Sequence, residues 1–168
     1  MGRQLLMPPY PYIGPRDILE VAQTKPGGYP ITTPQDLLDW LDQTAQQPDQ
    51  QALYWVTYTV SQQSQLHIAD RHSEHVACAS AAPVLAAGEM AFRLTAAAPA
   101  IEVVTNMSTG YCPEPSSWSA LHPLLTSIGF APPDAFTTEI IFRKCPACGQ
   151  RNVVKDDWYY CGVCDTEL

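Results

Sequence analysis

Charge is scarce in this chain, and positive charge scarcer. Only 15% of the 168 residues are Asp, Glu, Lys or Arg, and nine basic side chains face 17 acidic ones, a formal net charge of −8. The basic balance of a dedicated nucleic-acid binder is therefore missing. Long apolar runs are missing too, since none approaches the roughly 20 residues that span a bilayer. The few apolar residues ahead of Pro8-Pro9-Tyr10-Pro11 fall short of a signal-peptide core of roughly 7–15 residues. Gly2 has no Ser or Thr where a myristoylation signal wants one. No internal repeat is visible. These absences predict a cytosolic protein without membrane attachment.

What the chain has in quantity is apolar and polar uncharged residues. Hydrophobic residues make up 46%, with four Trp, eight Tyr and four Phe, enough for a core and against a disulfide-held miniprotein or a disordered chain. Sixteen Pro and 12 Gln imply long polar connections around a compact centre. The length suits one domain with a small appendage.

Along the chain, residues 1–13 are Pro- and Tyr-rich and expected to be extended. Gly14-Pro15-Arg16-Asp17 opens a short helix carrying Ile18, Leu19, Val21 and Ala22, and Lys25-Pro26-Gly27-Gly28-Tyr29-Pro30 breaks it. A second helix starts at Thr33 as N-cap, with Pro34 at the first helical position and Asp36 three residues after the cap. Its apolar face is Leu37, Leu38, Trp40, Leu41 and Ala45. From residue 53 the pattern turns extended: 53–60 and 66–68 read as a hairpin, 83–87 and 89–94 as two strand pieces with Gly88 as bulge or turn, and 101–105 as another strand. Short connections make the sheet mostly antiparallel. A third helix is expected between Pro115 and Ile128, ended by Gly129, with Pro123 as a kink or restart. Thr137 to Lys144 alternates as a strand. The fold class is α+β: N-terminal helices, a central mostly antiparallel sheet, one further helix and a C-terminal metal-binding unit.

Four of the six cysteines fall as Cys145-Pro-Ala-Cys148-Gly149 and Cys161-Gly-Val-Cys164-Asp165, with 12 residues between the pairs. Two C-x-x-C pairs in a chain expected in the cytosol point to metal ligation rather than disulfides. Four thiolates suit tetrahedral zinc, with Zn–S near ~2.3 Å and no open position. Gly149 lets backbone amides turn toward a sulfur, and Asn152–Lys155, Asp156-Asp157 and Trp158–Tyr160 read as a small hairpin between the knuckles. Residues 143–166 thus resemble the zinc-ribbon (rubredoxin-knuckle) class, with Asp165 departing from the Gly usual in the second knuckle. The expectation is one structural Zn²⁺ per chain on Cys145, Cys148, Cys161 and Cys164, in a ribbon of residues 143–168 following a body of residues 1–142. About 24 residues are too few for a core of their own, so the metal would supply the folding free energy.

A weaker constellation lies mid-chain: Asp70-Arg71-His72-Ser73-Glu74-His75-Val-Ala-Cys78, and downstream Asn106-Met-Ser-Thr-Gly-Tyr-Cys112-Pro-Glu114-Pro-Ser-Ser-Trp118. His72-x-Glu74 with Tyr111-Cys112-Pro113 is faintly similar to the zinc-dependent deaminases, although no second cysteine stands near Cys112 and Cys78 would have to be recruited. Alternatively, His72 or His75 with Glu74 and Arg71 suits metal-free acid/base chemistry on a nucleotide or phosphodiester, His titrating near neutrality and Arg stabilising an oxyanion. The plain structural reading is an exposed charged connection with Cys78 as a small buried apolar residue. The run from Ser108 to Trp118, followed by the ribbon, resembles a type of small bacterial protein that joins a compact α+β body to a C-terminal zinc ribbon. That resemblance implies a fold and no reaction.

The functional expectation is a binding or regulatory role in which the ribbon and the aromatics Trp158, Tyr159 and Tyr160 engage a protein partner. The body, with five basic and 13 acidic side chains, is suited to steer a basic partner. The alternative is an enzyme using the 71–78 and 106–118 segments on a nucleotide or nucleic-acid substrate.

Overall fold

The protein is described over residues 7–168 by a computed structural model. The first six residues of the N-terminal segment expected to be extended lie outside that range. From Met7 onward the segment crosses the body as a strap: Tyr10 bridges Val84, and the Ile13 N–H donates to the Gly110 carbonyl at 2.8 Å.

Helix α1 (Arg16–Ala22) precedes a short strand β1 (Tyr29–Ile31) and helix α2 (Pro34–Gln43). Strands β2 (Leu53–Ser61) and β3 (Leu66–Asp70) form the expected hairpin, and a one-turn helix α3 (His75–Cys78) leads to β4 (Val84–Leu94) and β5 (Pro99–Val104). A 3-10 turn at Pro115–Ser117 runs into α4 (Trp118–Ile128), and β6 (Ile141–Lys144) and β7 (Arg151–Val154) close the chain as a separate two-stranded sheet. The main sheet has the order β1-β3-β2-β4-β5 and every pairing is antiparallel. The α+β class holds.

Central strand β2 explains why the sheet is covered on both faces. Val56, Tyr58 and Val60 point to one side, where Leu37, Trp40 and Leu41 of α2 and Leu121, Leu125 and Ile128 of α4 complete the main core. Thr57 and Thr59 point to the other side and are equally buried, because the 71–83 connection folds over them. There the Thr57 hydroxyl donates to the carbonyls of Arg71 and Ser73 at 3.3 and 3.4 Å, and Thr59 donates to the Cys78 sulfur at 3.5 Å. A second apolar cluster of Ala22, Val76, Ala77, Val84, Ala87 and Tyr111 fills this side. Each large apolar side chain taken fully from water contributes on the order of 1.5–3 kcal/mol.

The start of α2 forms as its sequence demands: Asp36 N–H donates to the Thr33 hydroxyl and the Asp36 carboxylate accepts from the Thr33 N–H, a complete capping box. Gly129 ends α4 at φ +114°. Pro123 sits inside α4 without ending it, the burial of Leu121, Leu125 and Ile128 on the sheet carrying the helix past the lost donor.

Five expectations are corrected. The breaker at 25–30 runs into β1, whose Pro30 is tolerated because β1 is an edge strand. The 71–78 segment is not an exposed connection throughout: it includes α3, with Val76, Ala77 and Cys78 buried. Gly88 is neither bulge nor turn. It sits within the continuous strand β4, and a Cβ there would collide with the Thr105 carbonyl. The register breaks lie instead between Val60 and Ser61 and between Ala91 and Phe92. Residues 137–140 do not pair as part of a long strand. Thr137 and Thr138 attach to the end of β5, and only Ile141–Lys144 is strand. Finally, the hairpin at the metal-binding unit is β6 with β7, while Lys155 and Trp158 make a single bridge around Asp156 and Asp157.

Candidate metal centre and cleft

The C-terminal unit is built from two knuckles of near-identical geometry. In the first, Gly149 N–H donates to the Cys145 carbonyl at 3.0 Å and Cys145 N–H to the Gln150 carbonyl at 2.8 Å. In the second, Asp165 N–H donates to the Cys161 carbonyl at 3.0 Å and Cys161 N–H to the Thr166 carbonyl at 2.8 Å. Both turns need a left-handed residue, Gly149 at φ +75° and Asp165 at φ +57°. Asp fills the second position because its short polar side chain tolerates that region better than a branched one. Asn152 of β7 fastens the second knuckle to the hairpin, its Oδ1 accepting from the Gly162 N–H at 3.0 Å.

The two knuckles bring four sulfurs within 4.8 Å of one another. Cys145 and Cys164 sulfurs are 3.5 Å apart and those of Cys148 and Cys161 are 3.6 Å apart. A tetrahedron with metal–sulfur bonds of ~2.3 Å has edges of ~3.8 Å, so this cluster has the size of one four-coordinate ion. Amides already point at the sulfurs, Cys148 N–H at Cys145 (3.5 Å) and Val163 N–H at Cys161 (3.4 Å). Backbone donors from Cys164 and Val163 bring the Cys161 thiol down to about 6, and the Thr166 hydroxyl lowers Cys164. Against the Gln150 amide, which pulls it down, the surrounding thiols push Cys148 up to about 12. Four thiolates this close repel one another until a cation sits among them, and an all-sulfur tetrahedral set suits zinc. The donor set and spacing fit one such ion and are consistent with a zinc ribbon.

The segment that leads into β6, and through it the metal-binding unit, is held by Asn106, which is fully buried. Its Oδ1 accepts from the Ile140 N–H at 2.7 Å, and its Nδ2 donates to the carbonyls of Ile140 and Pro113 at 2.8 and 2.9 Å. The Arg151 guanidinium adds a hydrogen bond to the Ile13 carbonyl at 2.9 Å.

The mid-chain candidates do not converge. Among the described residues the four knuckle cysteines are the one group of three or more His, Cys, Asp or Glu placed to hold a metal. Arg71 lies over the Trp55 ring, 4.7 Å from its centre, and Trp55 in turn donates to Asp49 at 2.8 Å. His75 is half-buried with Nε2 2.9 Å from the Gly88 carbonyl, and desolvation pulls its pKa below the ordinary value. Cys78 is buried between Thr59 and the His67 carbonyl, and burial pushes its thiol up to about 11. Cys112 is half-buried at φ +46°, its thiol donating to the Thr109 carbonyl at 3.4 Å, and burial raises it too, with Arg151 pulling the other way.

His72 and Glu74 do share a place. Both line an open cleft of about 900 Å³, together with Lys25, Trp40, Gln46 and Asp70. The Asp70 carboxylate is already engaged, accepting from the His72 backbone N–H at 2.9 Å and from the Gln46 amide at 3.3 Å. Nothing in the sequence marked Lys25, Trp40 or Gln46 as neighbours of His72, because they come from three separate segments that meet only at the β1–β3 edge.

Of the aromatics between the knuckles, Trp158 is 66% exposed and Tyr160 44%, their rings 5.0 Å apart and inclined at 50°. Tyr159 is half-buried rather than exposed, its carbonyl accepting from the Leu168 N–H at 2.9 Å. No described helix is long and apolar enough to cross a membrane. Comparison of the chain with protein-family models, with curated proteins and with solved structures finds no match.

Proposed function

We propose that this is a zinc-binding protein in which a ribbon of residues 143–168, folded around one structural Zn²⁺, serves as a protein-interaction element on the α+β body of residues 1–142. The observation that carries this reading is the exposed pair Trp158–Tyr160, its rings in inclined contact, displayed by a unit whose four thiolates would leave a metal no open position for chemistry. Large aromatics left in water are what interface hot spots are made from. When bound, the metal supplies folding free energy. The residues of this chain do the rest: the knuckle amides orient the sulfurs, and the turn at Asp156–Asp157 presents the rings.

The test has two parts. Purified protein should contain one zinc per chain, lost in Cys145→Ser/Cys148→Ser. Partners captured by the wild type should be lost in Trp158→Ala and Tyr160→Ala variants that keep their zinc. Retention of every partner by those variants sinks the interaction reading.

The cleft supports a second reading, acid/base chemistry on a nucleotide or nucleic-acid substrate, through His72 and Glu74 alone of the four residues first considered. An activity abolished by His72→Ala or Glu74→Ala, with zinc content and melting temperature unchanged, would favour it.

A further inference from the structure

We infer that the Trp158–Tyr160 face takes an arginine-bearing segment of a partner protein. The inference rests on the interaction reading above and adds the chemistry of the partner.

The register of the hairpin places the face. Lys144 pairs with Arg151 next to the knuckles and Ile141 with Val154 at the opposite end, so the Asp156–Asp157 turn and Trp158 stand away from the sulfurs. Asp156 and Asp157 both adopt positive φ, +52° and +57°, and immediately precede Trp158. Glu167 lies across a bridge from Tyr160. All three acidic residues are exposed. The ion pairs among the described residues are Arg16–Glu20 and Arg93–Glu102, so none of these three carboxylates has a cation within 4.0 Å. The one basic residue in the turn, Lys155, is likewise exposed and unpaired. The two inclined rings thus lie in a segment that carries three unpaired carboxylates against one unpaired ammonium, a net negative charge.

That combination selects among cations. A guanidinium can lie flat on an indole while its edge donates to a carboxylate, whereas an ammonium is a hydrated point charge that satisfies one of the two. A nucleic acid could stack its bases here, but its phosphates would meet Asp156, Asp157 and Glu167. The acidic body adds long-range attraction for the same kind of partner.

The experiment is a titration of the full-length, zinc-loaded protein with a fluorescent arginine-rich peptide, beside matched lysine, citrulline and glutamate peptides and an oligothymidine. Saturable binding in the order arginine, lysine, citrulline is expected. Trp158→Ala should weaken the arginine peptide about tenfold, with Trp158→Phe in between. Asp156→Asn/Asp157→Asn should weaken it about fivefold and flatten its salt dependence. Zinc stoichiometry shows that each variant is folded at the knuckles. The inference is overturned if the arginine peptide does not bind, if citrulline, glutamate or oligothymidine binds as well, or if Trp158→Ala leaves the affinity unchanged. Should the peptide fail while protein partners still depend on Trp158, the partner chemistry falls and the interaction reading stands. If captured partners are also indifferent to Trp158, both fall.

Discussion

Replacing Asn106 with alanine removes a side chain that stands in for a strand at the junction of body and metal unit. Three hydrogen bonds of 2.7–2.9 Å disappear together: the Pro113 carbonyl loses its partner in a buried place, and the Ile140 N–H and carbonyl lose theirs in a part-buried one. With a net of about 1 kcal/mol per bond, and a further penalty only for the buried Pro113 carbonyl, the loss should be about 3 kcal/mol. Asn106→Asp should cost at least as much, because it keeps the acceptor for Ile140 but turns a second acceptor on two carbonyls. Urea unfolding followed by the body's fluorescence gives the magnitude. Hydrogen exchange at the Ile140 amide gives the location, and cobalt substitution at the four cysteines shows that the metal unit itself survives. A loss below about 1 kcal/mol in Asn106→Ala, or unchanged protection at Ile140, would refute the account of Asn106 as the anchor.

Three further outcomes follow from the geometry. His75 has a folded pKa below its ordinary 6.5, chiefly through desolvation, so its stabilising contribution is present above that value and is lost as pH falls toward the folded pKa. His75→Gln should flatten the stability–pH curve just below pH 6.5, measured by chemical denaturation, and an unaltered slope there would contradict it. Gly88→Ala should destabilise by about 3 kcal/mol or more, seen in the melting temperature, because its Cβ meets backbone at Thr105 rather than a side chain that can swing away. Cys78, buried with its thiol near 11, should resist a thiol reagent at pH 8 in the native protein and react on unfolding; rapid native labelling at Cys78, mapped by mass spectrometry, would show the burial to be wrong.

Local chemistry made the legible parts legible. The Thr33-Pro34-x-Asp36 start of α2, the β-branched run of β2, the glycine stop of α4 and the paired C-x-x-C knuckles each carry their signal within a few residues, and each is found where those residues are. The cluster of Cys145, Cys148, Cys161 and Cys164, which could hold a metal ion, was readable because knuckle spacing alone fixes which sulfurs converge. What was hidden depends on distant partners. Gly88 looks like a turn residue until Thr105 is seen pressed against it, and β1 hides behind a proline that only an edge position accommodates. The histidines of 67–75 look like a cluster in sequence. The one-turn helix α3 then sends His75 inward, leaves His72 at the cleft and lets Arg71 cover Trp55, so adjacency along the chain became separation in space.

The strap from Tyr10 to Ile13 has a bearing on how the protein is made. Its bridge to Val84 becomes possible only once the fourth strand exists, its bond to Gly110 later still, and its bond from Arg151 spans 138 residues. During synthesis the strap leaves the ribosome before any of its partners and is therefore among the last segments to find its place. Contacts of such long range contribute little to an early folding nucleus and close after the sheet has formed. On this route the strap acts as a late latch: while it is undone, Tyr111 and the Tyr12 ring packed 5.7 Å from it are left uncovered.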